Sequence, residues 1–524
     1  MSPLKRLAGT LCILWLGGLA NAGELRRAGT GDPATLDPHR FEDPWEATII
    51  MDLFQGLTTF TPEMDVVPGQ AESFSVSDDG LTYTFRLREG LQWSDGTPLT
   101  AHDFEYSFRR ILNPATGSPT AARHFVLRNA SEVYAGELPM DSLGVKAVSP
   151  LELQMQLEHP APFYPEVLAS RGLPVPRHII ERHGDRWIQP GKLVSNGPFR
   201  LVEWIPNQHV KLERNPRFFD AAMVQLDGIY HLSGEDANLS VRQFRAGEVD
   251  VVVTVPSEQL EYLRRELGDE LHLVPGFGLQ HYVFNTQVPP FDDVRVRRAL
   301  AMAIDRDILV DKILRSGETP AYGLVPPQAR EYPNHASADF AAWTQAERVR
   351  AAKALLAEVG YGNGRQLEVN LSYNTSEIHK RVALAVASMW KAVGVKAVLN
   401  NKEAKVLLSD MRNGTFEVGR YLWLGLTQDA MSFLERLHSQ GGPINQSRFA
   451  NRAFDQLIDQ AMLTFDLEAR ADLLYRAEAK AVAEMPVIPL YFYGGRRLIS
   501  SRVTGWVDNS RGINLARDLG LRED

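Results

Sequence analysis

The segment from Leu367 to Leu399 constrains the fold more than any other part of this sequence. Leu367–Leu371 and Val395–Leu399 are short runs typical of strands. Between them, from Ile378 to Val393, apolar residues recur at three- and four-residue spacing, as they do on the buried face of a helix, and Gly394 suits the position after the helix end. A strand, a helix and a strand in this order normally form a β-α-β unit within a parallel sheet. The chain is therefore predicted to have an α/β fold.

A β-hairpin is predicted earlier in the chain. Phe74–Val76 and Leu81–Leu87 read as strands, and Ser77-Asp78-Asp79-Gly80 lies between them. An Asp-Gly pair favours a tight hairpin turn, because glycine tolerates the positive φ that such a turn requires.

Four more helices follow from capping signals and apolar spacing. Thr100 with Asp103 and Thr344 with Glu347 match the capping box that opens a helix. The first of these helices is expected to bury a stripe of four apolar residues, Phe104, Phe108, Ile111 and Leu112. The other two helices are predicted near Asp293–Ile304 and Leu467–Glu484. We find no internal repeat and no low-complexity linker, so composition does not mark the domain boundaries.

Composition excludes several classes of protein. The 524 residues are 44% hydrophobic and 23% charged, which is an ordinary globular balance and not that of a disordered chain. The formal net charge of −9 argues against binding nucleic acid or an anionic membrane through a basic surface. The single cysteine can form neither an internal disulfide nor a cysteine-based zinc site.

Residues 1–22 are predicted to be a secretory signal peptide. Lys5 and Arg6 precede the apolar run Leu7–Ala20, and Ala20-Asn21-Ala22 matches a signal-peptidase site. Cys12 lies within the apolar run, so a lipid anchor is not expected. A buried N-terminal helix is the alternative. Because no lipid anchor is expected, we expect the mature chain in a periplasm enclosed by an outer membrane.

The sequence contains none of the familiar catalytic motifs. It has no G-x-S-x-G, no H-E-x-x-H and no phosphate-binding loop. His178 and His183 are five residues apart and would not share a helix face, so a zinc site is not expected. A solvated turn after Pro174 and Pro176 is predicted instead. The paired acids Asp78-Asp79 and Asp292-Asp293 lie where a turn or a helix cap favours a carboxylate. We expect no catalytic residue, no metal and no cofactor.

The segment SDDGLTYTFRLREGLQWSDGTPLTAHDFEYSFRR, Ser77–Arg110, resembles the oligopeptide-binding proteins of bacterial ABC importers. The resemblance covers nearly the whole mature chain, through the further motifs Leu36-Asp37-Pro38-His39, Ser195-Asn196-Gly197-Pro198-Phe199, Leu212-Glu213-Arg214-Asn215-Pro216, Asp293-Val294-Arg295-Val296-Arg297, Ala301–Asp307, Tyr373-Asn374-Thr375-Ser376, Gly414-Thr415-Phe416 and Pro489-Leu490-Tyr491.

The resemblance implies a three-lobe periplasmic-binding-protein fold, with two α/β lobes and an extra α+β lobe. Lobe I would comprise residues 23–54, 179–278 and 495–524, lobe II residues 55–178 and lobe III residues 279–494. Two crossing segments, near Gly276–Phe284 and Pro489–Gly494, would form the hinge. A peptide or peptide-like ligand would lie extended in the cleft between lobes I and III. The receptor, a monomer, would pass it to a membrane permease with separate ATPase subunits, and would touch the membrane only through that permease.

The resemblance also implies ligand-binding residues. Glu42 follows the first motif, where the family pairs with ligand backbone, and Arg420 and Trp423 match the opposite pairing strand. His379 matches a position that can meet a peptide carboxylate, and Tyr493 matches an aromatic residue near the second crossing segment.

One departure from the family concerns the ligand's α-ammonium group. Oligopeptide receptors bind it with an aspartate three residues after the Trp423 position, where this chain has Leu426. Asp429 could replace that anchor. Otherwise the ligand is a modified or blocked peptide, or another small polar solute. A periplasmic amidase or peptidase is the alternative from a different functional class.

Overall fold

The computed structural model describes residues 23–522 except Glu235, Asn363 and Leu426. The predicted signal peptide, residues 1–22, and the departure at Leu426 therefore lie outside the described residues.

Strands and helices alternate along most of the described chain. The strands are β1 (Glu24–Thr30), β2 (Thr58–Phe60), β3 (Val66–Pro68), β4 (Ala71–Val76), β5 (Thr82–Leu87), β6 (Val145–Ser149), β7 (Glu152–Gln156), β8 (Phe199–Ile205), β9 (His209–Arg214), β10 (Gly228–Ser233), β11 (Val251–Val252), β12 (Leu271–Phe284), β13 (Thr319–Pro320), β14 (Leu367–Asn374), β15 (Val395–Lys402), β16 (Val418–Leu424), β17 (Val487–Ile499), β18 (Val503–Thr504) and β19 (Gly520–Leu521). The helices are α1 (Pro44–Leu53), α2 (Ala101–Ile111), α3 (Ala130–Ala135), α4 (Tyr164–Arg171), α5 (Arg177–His183), α6 (Ala237–Arg245), α7 (Leu260–Leu267), α8 (Val294–Met302), α9 (Arg306–Ile308), α10 (Gln345–Glu358), α11 (Glu377–Ala392), α12 (Ala404–Asn413), α13 (Met431–Leu434), α14 (Arg452–Leu463) and α15 (Leu467–Glu484).

A single mixed sheet runs through the molecule in the order β15-β14-β16-β12-β17-β11-β1-β10-β9-β8. β14 pairs in parallel with β15 and β16, and α11 connects β14 to β15 as the β-α-β pattern predicts. β1 likewise pairs in parallel with β10 and β11. The predicted α/β fold is confirmed.

Two long strands join the two ends of this sheet. β12 and β17 pair antiparallel, with β16, β14 and β15 on one side and β11, β1, β10, β9 and β8 on the other. The predicted crossing segments Gly276–Phe284 and Pro489–Gly494 lie within these strands. The boundaries of the three lobes stay a prediction.

Two large apolar clusters form most of the core. One draws its buried residues from positions 277–492. The other joins Tyr83 and Phe85 of the predicted hairpin to Leu25 and Phe199 of the main sheet. The hairpin region therefore shares a core with β1 and β8.

The predicted hairpin is confirmed. β4 and β5 pair antiparallel, with Val76 opposite Tyr83, inside a sheet ordered β4-β5-β7-β6. Gly80 has φ +72° in the turn, and the Asp79 carboxylate accepts hydrogen bonds from the Ser77 hydroxyl and the Leu81 N–H.

The predicted helices are confirmed, and both capping boxes are present, at the starts of α2 and α10. The prediction of a solvated turn at His178–His183 is wrong, because these residues belong to α5. Arg177 pairs with Glu181 one turn later at 2.6 Å, which supports a short helix. His178 Nε2 lies 2.8 Å from Asp95 Oδ2.

Candidate ligand-binding cleft

A cavity of about 460 Å³ lies where several distant parts of the chain meet. Its walls come from α1, the segment 119–126, α4, the segment 427–444 and the C-terminal segment 511–513. Much of the wall is apolar, contributed by Ala47, Met51, Pro119, Ala122, Val126, Phe163, Val167, Met431, Ile444 and Ile513.

Four arginines, Arg123, Arg171, Arg436 and Arg511, line the same cavity, which we call the arginine-lined cavity. Arg511 pairs with Glu166 at 2.6 Å. Arg436 donates to the backbone oxygens of Ser432 and Leu424, at 2.9 and 3.2 Å. Within residues 23–522, leaving aside positions 235, 363 and 426, no carboxylate oxygen lies within 4.0 Å of the charged nitrogens of Arg123, Arg171 or Arg436.

These arginines lie close enough to disfavour one another's charge. Burial, together with the guanidinium groups of Arg123 and Arg511, lowers the pKa of Arg171 to about 9. Burial and the nearby Arg436 lower the pKa of Arg123 in the same direction. Arg171 is the last residue of α4, where the negative end of the helix dipole favours a cation.

Two carboxylates line the cavity, and one of them is already paired. Asp429 accepts hydrogen bonds from the guanidinium of Arg470 at 2.7 and 3.0 Å, and from the Met431 N–H at 2.8 Å. The other is Glu435: burial raises the pKa of its carboxyl group, and the guanidinium groups of Arg436 and Arg123 act in the opposite direction. With four arginines against these two acids, the wall is electropositive.

Arg420 and His379 are brought together outside this cavity, through Asn374. Arg420 Nη1 donates to Asn374 Oδ1 at 3.1 Å, and Arg420 Nη2 donates to Gln280 Oε1. The carbonyl of Asn374 accepts from His379 Nδ1 at 3.2 Å. Burial and the charge of Arg420 lower the pKa of His379 to about 4, so this imidazole is neutral at pH 7.

The backbone of Trp423 and the side chain of Tyr493 both border Gly278 of β12, and Tyr493 interacts electrostatically with Arg420, whereas Glu42 lies on a separate segment. Trp423 is 3% exposed, and its ring centroid lies 4.2 Å from that of His281, so its side chain belongs to the core. Tyr493, on β17, packs against Gly276 of β12. The exposed Glu42 lies just before α1, and its N–H donates to Glu46 Oε2 at 3.1 Å. Of the predicted set, Asp429 is the member in the wall of the arginine-lined cavity.

The sequence interpretation missed the four cavity arginines. They come from four separate parts of the chain, and none belongs to a recognisable motif. Only the packing of α4 against the segments 119–126, 427–444 and 511–513 places them side by side.

The described part of the chain has neither a membrane-spanning helix nor a cluster of metal ligands. No helix there is both long and apolar enough to span a membrane. The same residues contain no group of three or more His, Cys, Asp or Glu side chains arranged to hold a metal ion.

Comparison with known proteins identifies the family. Residues 65–444 match the model of the bacterial extracellular solute-binding proteins, family 5. The chain belongs to this family.

Similar family 5 proteins match over nearly their whole length. The periplasmic oligopeptide-binding protein OppA of Salmonella typhimurium is 36% identical over 93% of this chain and 90% of its own. The probable deoxycholate-binding periplasmic protein YgiS of Escherichia coli strain K12 is 37% identical over 91% of this chain and 89% of its own. The periplasmic murein tripeptide-binding protein MppA, solved in its unliganded open form, superposes with a TM-score of 0.86 at 34% identity, covering 96% of this chain and 98% of that one.

These comparisons confirm two predictions about this family 5 protein. It is a solute-binding protein of the oligopeptide-binding type, and it is periplasmic, as its relatives are.

Proposed function

We propose that this protein captures peptides or peptide-like solutes in the periplasm and delivers them to an ABC importer. Related proteins are named for binding oligopeptides and murein peptides, which supports a peptide-like ligand. The permease would receive the ligand from the closed receptor, and separate ATPase subunits would drive import. The receptor would act as a monomer and contact the membrane only at the permease.

One feature of β16 carries this proposal. Its pairing with β12 continues to Leu424, but its pairing with β14 involves only Val418 and Gly419. Along Arg420–Leu424 the described residues thus offer no strand partner on the β14 side. An extended peptide can pair with such a free strand edge through its backbone, whatever its side chains. The segment 427–436, which follows β16, leads directly into the arginine-lined cavity.

The arrangement of the main sheet supports a division into lobes. Lobe I would comprise residues 23–54, 179–278 and 495–524, lobe II residues 55–178 and lobe III residues 279–494. β12 and β17, in the middle of the sheet, would connect lobes I and III, and closure would bend these two strands.

The proposed ligand contacts follow from the same arrangement. The guanidinium of Arg420, oriented by Asn374 and Gln280, would face the ligand with His379 beside it. Glu42 and Tyr493 would contribute from lobe I and from the crossing strand. Trp423 would act through its backbone, because its side chain is buried.

The proposed role is binding and not catalysis. The histidines with strongly displaced pKa values include His39, His124 and His281, which are fully buried. His39 Nε2 donates to the Leu173 carbonyl at 3.0 Å, and His281 Nδ1 donates to the Leu279 carbonyl at 3.0 Å. Such imidazoles stabilise the fold and cannot reach a substrate.

A second candidate is a receptor of the same fold for a blocked, modified or non-peptide solute. The electropositive wall of the arginine-lined cavity favours this candidate, because it would repel a free ammonium group. The similarity to a protein named as probably deoxycholate-binding also supports it.

Native mass spectrometry of the mature protein, purified without denaturation, tests the proposal. Release of free peptides of narrow length would support a general peptide receptor. A single modified or non-peptide compound would support the second candidate. If the protein chemically converts the compound with which it co-purifies, both receptor candidates would be contradicted.

A further inference from the structure

The arginine-lined cavity holds more guanidinium groups than paired carboxylates. Arg511 pairs with the Glu166 carboxylate and Arg171 packs over the Phe41 ring at 3.8 Å, but among the described residues no carboxylate lies within 4.0 Å of Arg123 or Arg171. Arg123 Nε and Arg171 Nη1 are buried without a hydrogen-bond partner. A buried donor that bonds neither protein nor solvent is costly, so it points to a missing acceptor.

The acids of the wall do not balance this charge. Asp429 is committed to Arg470 through two hydrogen bonds. Glu435 carries at most one negative charge, which cannot balance both Arg123 and Arg436 beside it. The charge that remains unbalanced in the wall is therefore the positive charge of the guanidinium groups.

The rest of the wall fits an apolar body. Val126 and Phe163 line the cavity on one side, and Met431 and Ile444 line it on the other. Ile444 is 60% exposed, so its side chain remains available for a contact. Guanidinium groups beside such a surface match a ligand that joins an oxyanion to an apolar part.

We propose that the arginine-lined cavity binds a carboxylate or phosphate group of the ligand, attached to an apolar body, through Arg123, Arg171 and Arg436. This inference rests on the proposed function, because it assigns a ligand class to the same cleft. A ligand that places a free ammonium group there is disfavoured, since the ammonium would meet three cations and, besides the paired Asp429, only one carboxylate, Glu435.

Three probes with one body test the charge preference. N-succinyl-trileucine amide carries a carboxylate at its amino end, N-acetyl-trileucine amide is neutral and trileucine amide carries an ammonium. We expect calorimetry to show the succinyl probe binding at least about 10-fold more tightly than the acetyl probe. Trileucine amide should bind more weakly than both, and added salt should reduce the preference. Competition by inorganic phosphate and by acetate distinguishes the two oxyanions, because the preferred group competes at the lower concentration.

The variant Arg123→Met separates a binding role from a structural one. Loss of one charged donor should weaken the succinyl probe roughly 10- to 100-fold. The same change relieves repulsion from Arg436 and Arg511. The melting temperature of the ligand-free variant should therefore equal or exceed that of the wild type. A purely structural arginine would lower the melting temperature instead. Arg436→Met is the second variant, and Arg177→Met, at an arginine whose side chain is 63% exposed, is the matched control.

Several outcomes overturn the inference. One is that trileucine amide binds as tightly as the succinyl probe or more tightly, a result that would still agree with a peptide receptor. Another is succinyl binding that Arg123→Met and Arg436→Met leave unchanged. Failure of all three probes also overturns it, and the compounds released in native mass spectrometry then decide the proposed function separately.

Discussion

The carboxylate oxygens of Glu166 accept hydrogen bonds from the backbone N–H of Gln428, at 2.9 and 3.1 Å. Glu166 belongs to α4, and Gln428 belongs to the segment after β16, so this contact joins opposite walls of the arginine-lined cavity. Arg511 pairs with the same carboxylate at 2.6 Å. One buried acid thus connects three distant parts of the chain.

We expect Glu166→Gln to loosen this junction. The variant removes the charge opposite Arg511, and a buried ion pair that loses one partner costs about 3 kcal/mol of unfolding free energy. Urea unfolding measures this loss, and small-angle scattering should show a larger radius of gyration without ligand. The exposed Glu137→Gln is the control and should change the unfolding free energy by less than about 0.5 kcal/mol. Unchanged stability and scattering for both variants would contradict the assigned role.

The pair Asp429–Arg470 should behave as a structural ion pair. The two side chains are 13% and 6% exposed, so Asp429→Leu leaves a buried cation and should cost about 3–5 kcal/mol in urea unfolding. The double variant Asp429→Leu/Arg470→Met removes both charges and should lose much less. Additive losses in this double-mutant cycle would show that the pair is not coupled, and would return Asp429 to consideration as an ammonium anchor.

Gly276→Ala should disturb the crossing strands. An added Cβ would lie 2.9 Å from both Cδ1 and the backbone oxygen of Tyr493 on β17, closer than atoms normally approach. Since the backbone cannot rotate away as a side chain does, we expect a loss of about 1–3 kcal/mol. Thermal unfolding measures it, with Gly234→Ala as control, where a Cβ meets nothing within 4 Å. Equal melting temperatures for the two variants would show that β12 and β17 are not closely packed there.

Local patterns allowed much of the fold to be predicted. The β-α-β unit, the hairpin at Asp79-Gly80 and the capped helices depend on neighbouring residues, whose preferences are readable in the sequence. The helix α5 could not be predicted from its histidines, because their spacing argues only against a zinc site and does not distinguish a turn from a short helix. The cavity arginines could not be predicted, because Arg123 and Arg511 become neighbours only through tertiary packing.

The buried His124 should make stability depend on pH. Burial lowers its pKa in the folded protein to about 3, whereas an unfolded histidine titrates near 6.5. Its contribution is therefore present above pH 6.5 and is lost as the pH falls, by about 2 kcal/mol at pH 5, because the unfolded chain gains a proton that the native state excludes. Other buried groups also titrate, so the measurement is the difference between wild type and His124→Gln in urea unfolding at pH 7 and pH 5. The wild type should lose about 2 kcal/mol more than the variant over this interval; parallel losses would mean that His124 is protonated in the native core.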